Sequence, residues 1–331
     1  MALPKILIHE HVTGGGMRAG LLSTPLLTEA RLMRDALVRD LIDTARVRVS
    51  LLHDARVPAP PGVDAIRVAR TDSWDTIFDT AVTDADAVWL IAPETDGVLE
   101  RLARRVRALN RPLLSSAPEA IAIATSKWRT FRTLDAVGVP TVPTFRPTDA
   151  PRSSPGEWVA KPDDGCGCEG VLRFDTGDEA FAWARGRHDT RSIVLQPRID
   201  GEPMSFSALA WNGRGWLLTM NRQRIAVRDD RFRFDGVDVN AMAADDTARS
   251  IVHRIAGALP GLKGHFGVDV MRGPDGWTVI EVNPRLTTSY AGLRATLTGN
   301  PAEPVLDLWR DDRIDAMPAN TGSTVTIPCE A

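Results

Sequence analysis

The first third of the chain alternates between two periodicities. Short apolar runs, KILIHEHV, VRVSLLHD and AVWLIAP, fit strands, while TEARLMRDALVRDLIDTA and TDGVLERLARRVRALN carry apolar residues at helical spacing. Strands alternating with helices over residues 5–115 predict a small open α/β sheet. SKWRTFRTLDAVG predicts a further helix, stopped by Gly138 and then Pro140. TFRPTDAPRSSPGEW is rich in Pro and Ser and reads as an irregular connection. From residue 157 the pattern changes to short strands, EWVAK, GVLRF, SIVLQP, PMSFSALAW, WLLTMNRQRI, GVDVM and WTVIEVN. Two helical patterns, GDEAFAWARGR and DDTARSIVHRIAGAL, interrupt them, which predicts an α+β part with mostly antiparallel strands. The polar, proline-dotted tail after residue 312 is assigned no role.

Composition narrows the class. The 331 residues suffice for two or three core-bearing units, and 25% charged with 43% hydrophobic residues is ordinary for a globular enzyme. A net charge of -3 gives no reason to expect a nucleic-acid or membrane surface. No stretch approaches the roughly 20 apolar residues of a membrane span, and MALPKILIHE lacks the layout of a signal peptide. Three cysteines make neither a disulfide framework nor a CxxC pair, and a reduced, cytoplasmic protein is expected. Of 40 basic residues only Lys5, Lys127, Lys161 and Lys263 are lysine. A lysine in so arginine-rich a chain marks a place suited to a compact ammonium, which directs attention to Lys127 and Lys161.

The most specific chemical signal is HFGVDVMRGPDGWTVIEVNPR, residues 265–285. PDG between two β-type runs predicts a hairpin. Centred on Asp275, it pairs Gly273 with Trp277, Met271 with Val279 and Asp269 with Glu281, and it puts Asn283 opposite Gly267. Val268, Val270, Ile280 and Val282 then face a core. Directly opposed residues have Cβ atoms about 4.5–5.5 Å apart, where like charges repel, so a cation should compensate. Oxygen ligands of this kind suit Mg²⁺, with Mn²⁺ also admissible; a solvated sheet face is the plainer reading. VAKPDDGCGCEGVLRF, residues 159–174, sets Lys161 at a strand end before Gly165, Gly167 and Gly170. Such a loop can nest phosphate oxygens on its N–H groups, or it can simply connect two strands.

Together these features resemble the ATP-grasp superfamily of carboxylate–amine ligases. The order of elements carries the resemblance over about residues 116–300: Ser126-Lys127-Trp128, the Lys161–Gly170 loop, Gln196-Pro197-Arg198-Ile199, Glu202, and then Asp269, Glu281 and Asn283 ahead of the NPR motif. The resemblance implies an ATP-grasp fold. Its expected parts are an N-terminal open α/β domain over residues 1–115, a small lobe with the glycine loop over 116–200, a C-terminal lobe with the metal site over 201–312, and a tail over 313–331. It implies that Lys127 and Lys161 reach the phosphates of ATP under a loop containing Gly165, Gly167 and Gly170. Gln196, Pro197, Arg198 and Ile199 would take adenine, and Glu202 the ribose. Asp269, Glu281 and Asn283 would bind Mg²⁺, with Arg285 and Arg224 beside the transferred phosphate. HEHVTGGG, the KPDDGCGCEG loop and NRQRI narrow the resemblance to ligases that join the γ-carboxylate of glutamate to an aromatic amine, tyramine or tyrosine, for methanofuran- or methylofuran-type cofactors. Its partners are then small molecules, glutamate and an amine, with a homo-oligomer left open.

Residues 9–20, HEHVTGGGMRAG, contain Gly14-x-Gly16-x-x-Ala19, the letter pattern of a dinucleotide loop. A nicotinamide enzyme would need a helix directly after the glycines and an acid about 20 residues on; Asp54 comes some 40 on. A non-catalytic ATP-binding module is opposed by the intact metal set and both lysines, and a kinase-like ATP-grasp enzyme is a further reading of the same residues. In an ATP-grasp ligase this junction lies beside the acceptor substrate. Gly14, Gly15 and Gly16 would then approach a substrate carboxylate, and Glu10 would either meet a substrate ammonium or brace the loop. No general base stands out: His9, His11 and His265 are near candidate loops, and a lone histidine is more often structural.

Overall fold

The computed structural model describes residues 2–149, 151, 154–165, 170–228 and 231–329. Among them no helix is long and apolar enough to cross a membrane. The N-terminal unit runs β1 (Lys5–Glu10), α1 (Thr24–Asp43), β2 (Arg48–Asp54), β3 (Asp64–Val68), α2 (Trp74–Asp84), β4 (Ala87–Ile91) and α3 (Val98–Ala108). Its four strands form a parallel sheet in the order β3-β2-β1-β4. β1 and β4 are buried almost throughout because both faces of the sheet are covered, with Ile6–Ile8 and Ala87–Ile91 apolar. Leu7, Leu52 and Val88 pack under α2 and α3, while Ile6, Ile8 and Trp89 pack the other way.

Two helices follow, α4 (Pro118–Thr125) and α5 (Lys127–Ala136). They bury Ala120, Ala124 and Leu134 in the core of the C-terminal sheet, so by packing they belong with the large lobe rather than the small one. The small lobe is β5 (Trp158–Pro162), β6 (Leu172–Phe174), α6 (Gly177–Arg185) and β7 (Ile193–Pro197). Its antiparallel sheet has the order β6-β5-β7 and a compact core of its own around Trp158, Phe181 and Leu195.

The large lobe has β8 (Glu202–Trp211), β9 (Arg214–Arg228), β10 (Arg231–Met242), α7 (Asp246–Ala258), β11 (Gly264–Gly273), β12 (Gly276–Asn283), α8 (Tyr290–Thr296), α9 (Glu303–Asp311) and β13 (Val325–Pro328). Its six strands run β12-β11-β8-β9-β10-β13. The polar tail therefore does have a place: β13 pairs antiparallel with β10, Val325 opposite Val239 and Pro328 opposite Gly236. The two faces of this sheet meet different neighbours. Met204, Phe206, Val268 and Val279 pack under α4, α5 and α7. Val237, Val239, Leu286 and Tyr290 join one continuous core with Leu37 and Leu41 of α1 and Ile6 and Ile8 of β1. The N-terminal unit and the large lobe are thus fused through shared apolar side chains.

Candidate active site

A cavity of about 540 Å³ opens where the three units meet. One wall is the β11–β12 hairpin. Asp269 lies opposite Glu281 and Gly267 opposite Asn283, but the route to that register differs from the expected one. The turn is tighter: Gly273 pairs with Gly276, Arg272 with Trp277 and Val270 with Val279. A bulge between Asp269 and Val270 on one strand and the segment from Val279 to Glu281 on the other restores the pairing of the acids. The bulge moves Val279 into the core and brings Ile280 to the cavity wall beside Glu281, which corrects the expectation that Ile280 is a core residue.

Asp269 is held from both sides. Its Oδ1 accepts from Gln223 Nε2 at 2.8 Å and its Oδ2 from Asn283 Nδ2 at 3.3 Å. Burial first, and then the Glu281 charge, push its carboxyl up to about 7. The Lys127 ammonium lies 3.5 Å from Glu281 Oε2 and donates to the carbonyl of Gly165. Among the described residues no group of three or more His, Cys, Asp and Glu side chains is placed to hold a metal ion. Two adjacent carboxylates and an amide nevertheless fit a hard cation that completes its shell with ligand oxygens, as Mg²⁺ does on phosphates.

Lys127 is positioned by a capped helix start. Ser126 Oγ accepts from Arg129 N at 3.1 Å, and Asp163 ties this turn to the end of β5. Its Oδ2 accepts from Ser126 Oγ at 2.7 Å and pairs with Arg146 at 2.8 Å, while its Oδ1 accepts from Trp128 N at 3.0 Å. Lys161, two residues earlier on β5, and Gly165 also line the cavity. Gly170 has φ +68 and sits against Pro162; Gly167 lies outside the described residues. The hinge from Gln196 through Gly201 forms another wall. Gln196 is buried and donates to Thr144 Oγ1 at 2.9 Å. The Arg198 amide donates to Glu157 O at 2.8 Å, so that N–H is already committed; Pro197, which has no N–H, and Ile199 also line the cavity.

Three expected site groups are placed elsewhere. Arg224 is half exposed on the outer face of β9 and bonds Asp238 Oδ1 through Nε at 3.0 Å; its neighbours Gln223 and Ile225 are the ones that face the cavity. Strand alternation decides this: a side chain one position along points to the other face. Glu202 does not line the cavity either and is paired with Arg222 at 2.5 Å and Arg272 at 3.7 Å. Gly14, Gly15 and Gly16 form no part of the wall, and no helix starts directly after them: residues 11–19 are turns and α1 begins only at Thr24. A Cβ on Gly14 would collide with Glu10 O, and one on Gly16 would collide with the His11 ring. Gly15 has φ +83 against Val68 and Trp74. The glycines let the loop fold onto itself over His9 and His11. The His9 ring is buried and the His11 ring partly so, and burial is the main cause that lowers them, to about 3 and about 4 respectively.

Glu10 does reach the wall, but as a brace. Oε1 accepts from Val12 N at 3.1 Å, and Oε2 from Thr13 N and Thr13 Oγ1, each at 2.6 Å. Arg285 lines the cavity and pairs with Glu94 of the N-terminal unit, Nη2 to Oε2 at 3.0 Å. His265 is a core residue: it bonds Pro301 O at 2.8 Å and packs on Trp89 and Tyr290. Sequence reasoning missed Gln223, Ile280, Glu94 and the α1 wall. No signal in the letters marked them: NRQRI is polar on both strand faces, and the other partners are distant in sequence.

An ATP-grasp domain model matches residues 124–289, about half of the chain, and a pre ATP-grasp 3 domain model matches residues 47–121. The chain belongs to the ATP-grasp family and has the ATP-grasp fold, and within that family it is a carboxylate–amine ligase of the ADP-forming kind. It is 27% identical over 302 residues to the tyramine–L-glutamate ligase of Methanocaldococcus jannaschii, covering 89% of this chain and 86% of that protein. Among solved structures it is similar to an ATP-grasp superfamily protein from Archaeoglobus fulgidus, with a TM-score of 0.70, 21% identity, and coverage of 96% of this chain and 90% of that one. An L-amino acid ligase from Bacillus licheniformis matches with a TM-score of 0.63 and 18% identity, over 93% of this chain and 74% of that one.

Two outcomes check this geometry. In the absence of metal, the raised carboxyl of Asp269 contributes stability that is full below the unfolded value of 3.8 and is lost as pH rises to about 7. Asp269→Asn should remove that decline, a gain on the order of 2 kcal/mol at pH 8 by linkage, measured by chemical denaturation across pH. Gly16→Ala should lower stability by about 2 kcal/mol, because backbone must shift to admit the methyl. An unchanged melting temperature combined with weakened substrate affinity would instead return this loop to the cavity wall.

Proposed function

We propose that the protein joins a carboxylate of glutamate to an aromatic amine at the expense of ATP, through an acyl phosphate. The observation that carries this reading is the cavity in which the Asp269–Glu281 pair and Lys127 share walls with Arg285 and the N-terminal unit. The relation to a tyramine–L-glutamate ligase supports glutamate and tyramine as the pair, and with them a place in methanofuran-type cofactor synthesis. In the first step a carboxylate oxygen of glutamate attacks the γ-phosphorus of ATP and ADP leaves. In the second, the amine nitrogen attacks the acyl carbon, the C–N bond forms and inorganic phosphate departs.

Phosphoryl transfer asks for positioning and charge neutralisation more than for covalent help. Asp269, Glu281 and Asn283 would hold Mg²⁺ or Mn²⁺, which, when bound, supplies positive charge to the phosphate oxygens. Lys127 and Lys161 carry compact charge to the same oxygens. The Gln196–Ile199 hinge takes the adenine, with Ile280 as an apolar wall near it. The loop through Gly165 covers the phosphates and limits access of water to the acyl phosphate. Arg285, fixed by Glu94, meets the acyl phosphate. Arg224 and Glu202, engaged in ion pairs outside the cavity, have no part in this mechanism.

The test is ADP release and product mass. Purified protein with Mg-ATP should release ADP only when glutamate and an aromatic amine are both supplied, and the product should have the mass of their sum less water. Glu281→Gln should lower turnover at least 100-fold while the melting temperature stays within a few degrees. ADP release that ignores both substrates, or an active Glu281→Gln variant, would overturn the proposal.

A further inference from the structure

One wall of the cavity is a face of α1. Leu26, Glu29, Ala30 and Met33 line it, spaced three and four apart so that they share one side of the helix. Across from them, Phe234 and Val237 of β10 line the cavity, and both pack in the same apolar cluster as Met33. The result is an apolar slot with one acid set into it. Glu29 Oε1 accepts from Thr288 Oγ1 at 2.5 Å. Thr288 comes three residues after Arg285, and both line the cavity, so this carboxylate sits at the end of the slot nearest the phosphate site. Glu10, the other acid nearby, has both oxygens engaged by Val12 and Thr13. Among the described residues, neither α1 nor β10 contributes a cation to the lining.

We propose that this slot seats the amine acceptor, with Glu29 pairing with its ammonium group and Met33, Phe234 and Val237 enclosing its aromatic ring. This rests on the ligase reading above and deepens it by naming the residues that select the amine. A carboxylate at the inner end of an apolar slot attracts an ammonium group and repels a second carboxylate. An amino acid would bring its α-carboxylate beside Glu29 and Glu10, where neither α1 nor β10 offers a cation to the lining and Arg285 is paired with Glu94. The slot therefore selects a decarboxylated aromatic amine, tyramine over tyrosine, and Glu29 enforces the choice.

The experiment uses the full chain with Mg-ATP and glutamate. Tyramine, tyrosine and, as a small nucleophile that traps the acyl phosphate as a hydroxamate, hydroxylamine serve as acceptors. The wild-type protein should favour tyramine over tyrosine at least tenfold in kcat/KM. Glu29→Gln keeps the side chain's size and an oxygen to accept from Thr288. It should raise the KM for tyramine about tenfold, leave the KM values of ATP and glutamate within about twofold, and shrink the preference over tyrosine. Leu26→Trp, at a position 38% exposed and therefore tolerant of a larger side chain, should narrow the slot and lower kcat/KM for tyramine far more than for hydroxylamine. A wild-type preference for tyrosine, an unchanged tyramine KM in Glu29→Gln, or a rise confined to glutamate would each overturn the assignment. If the wild-type protein forms no hydroxamate from glutamate, the ligase reading itself fails and this inference falls with it.

Discussion

Two carboxylates facing each other across neighbouring strands are the constraint around which this molecule is arranged. Asp269 and Glu281 repel, and burial makes that repulsion expensive. The fold answers with donors brought from far away in sequence. Gln223 arrives from β9, Asn283 from the next position on the same face of β12, and Lys127 from the first turn of α5. Asp163 then binds that turn to the end of β5, so the helix bearing one lysine and the strand bearing the other are held in one relation. An arrangement that concentrates this much negative charge makes physical sense as a receptacle for cations and the anion they accompany.

The other half of the site follows from a shared core. Because α1 is buried simultaneously against the N-terminal sheet and against the β10, α8 and α9 side of the large lobe, its face can serve as a wall of the cavity. The same docking places Glu94 against Arg285 and Glu29 against Thr288, two contacts across the boundary between units. The phosphate side and the acceptor side are therefore built by different parts of the chain and meet at the segment 285–289.

Much of the frame is legible in the sequence, because it rests on periodicity. The alternation of strands and helices over residues 5–115, the change of character near residue 157 and the acidic hairpin all follow from apolar spacing. The pairing of Asp269 with Glu281 follows from the sequence only through a turn that is too wide, and a bulge offsets that difference; the cost is the exchange of Val279 and Ile280 between core and cavity. A bulge leaves no mark in a run of β-branched residues. Parity explains Arg224: NRQRI is polar on alternate positions whichever face looks inward, so only the fold reveals that Gln223 is the inward one. The glycines at 14–16 match a ligand-binding pattern, yet they serve close packing on His9, His11 and Trp74, which depends on neighbours the letters do not identify. Glu29 and Glu94 are invisible in the sequence because their partners lie roughly 190 to 260 positions away.

The division of the apolar cores also sets how the units are joined. The N-terminal unit and the large lobe share one cluster of side chains, whereas the small sheet of β5, β6 and β7 has its own around Trp158 and Phe181. Separating the first two would expose Leu37, Ile8, Val239 and Tyr290 to water. The two bodies meet at the cavity, where Asp163 at the end of β5 accepts from Ser126 and Trp128 at the start of α5. The slot proposed for the acceptor is walled by α1 and β10, so its width is set by the same packing that joins the N-terminal unit to the large lobe.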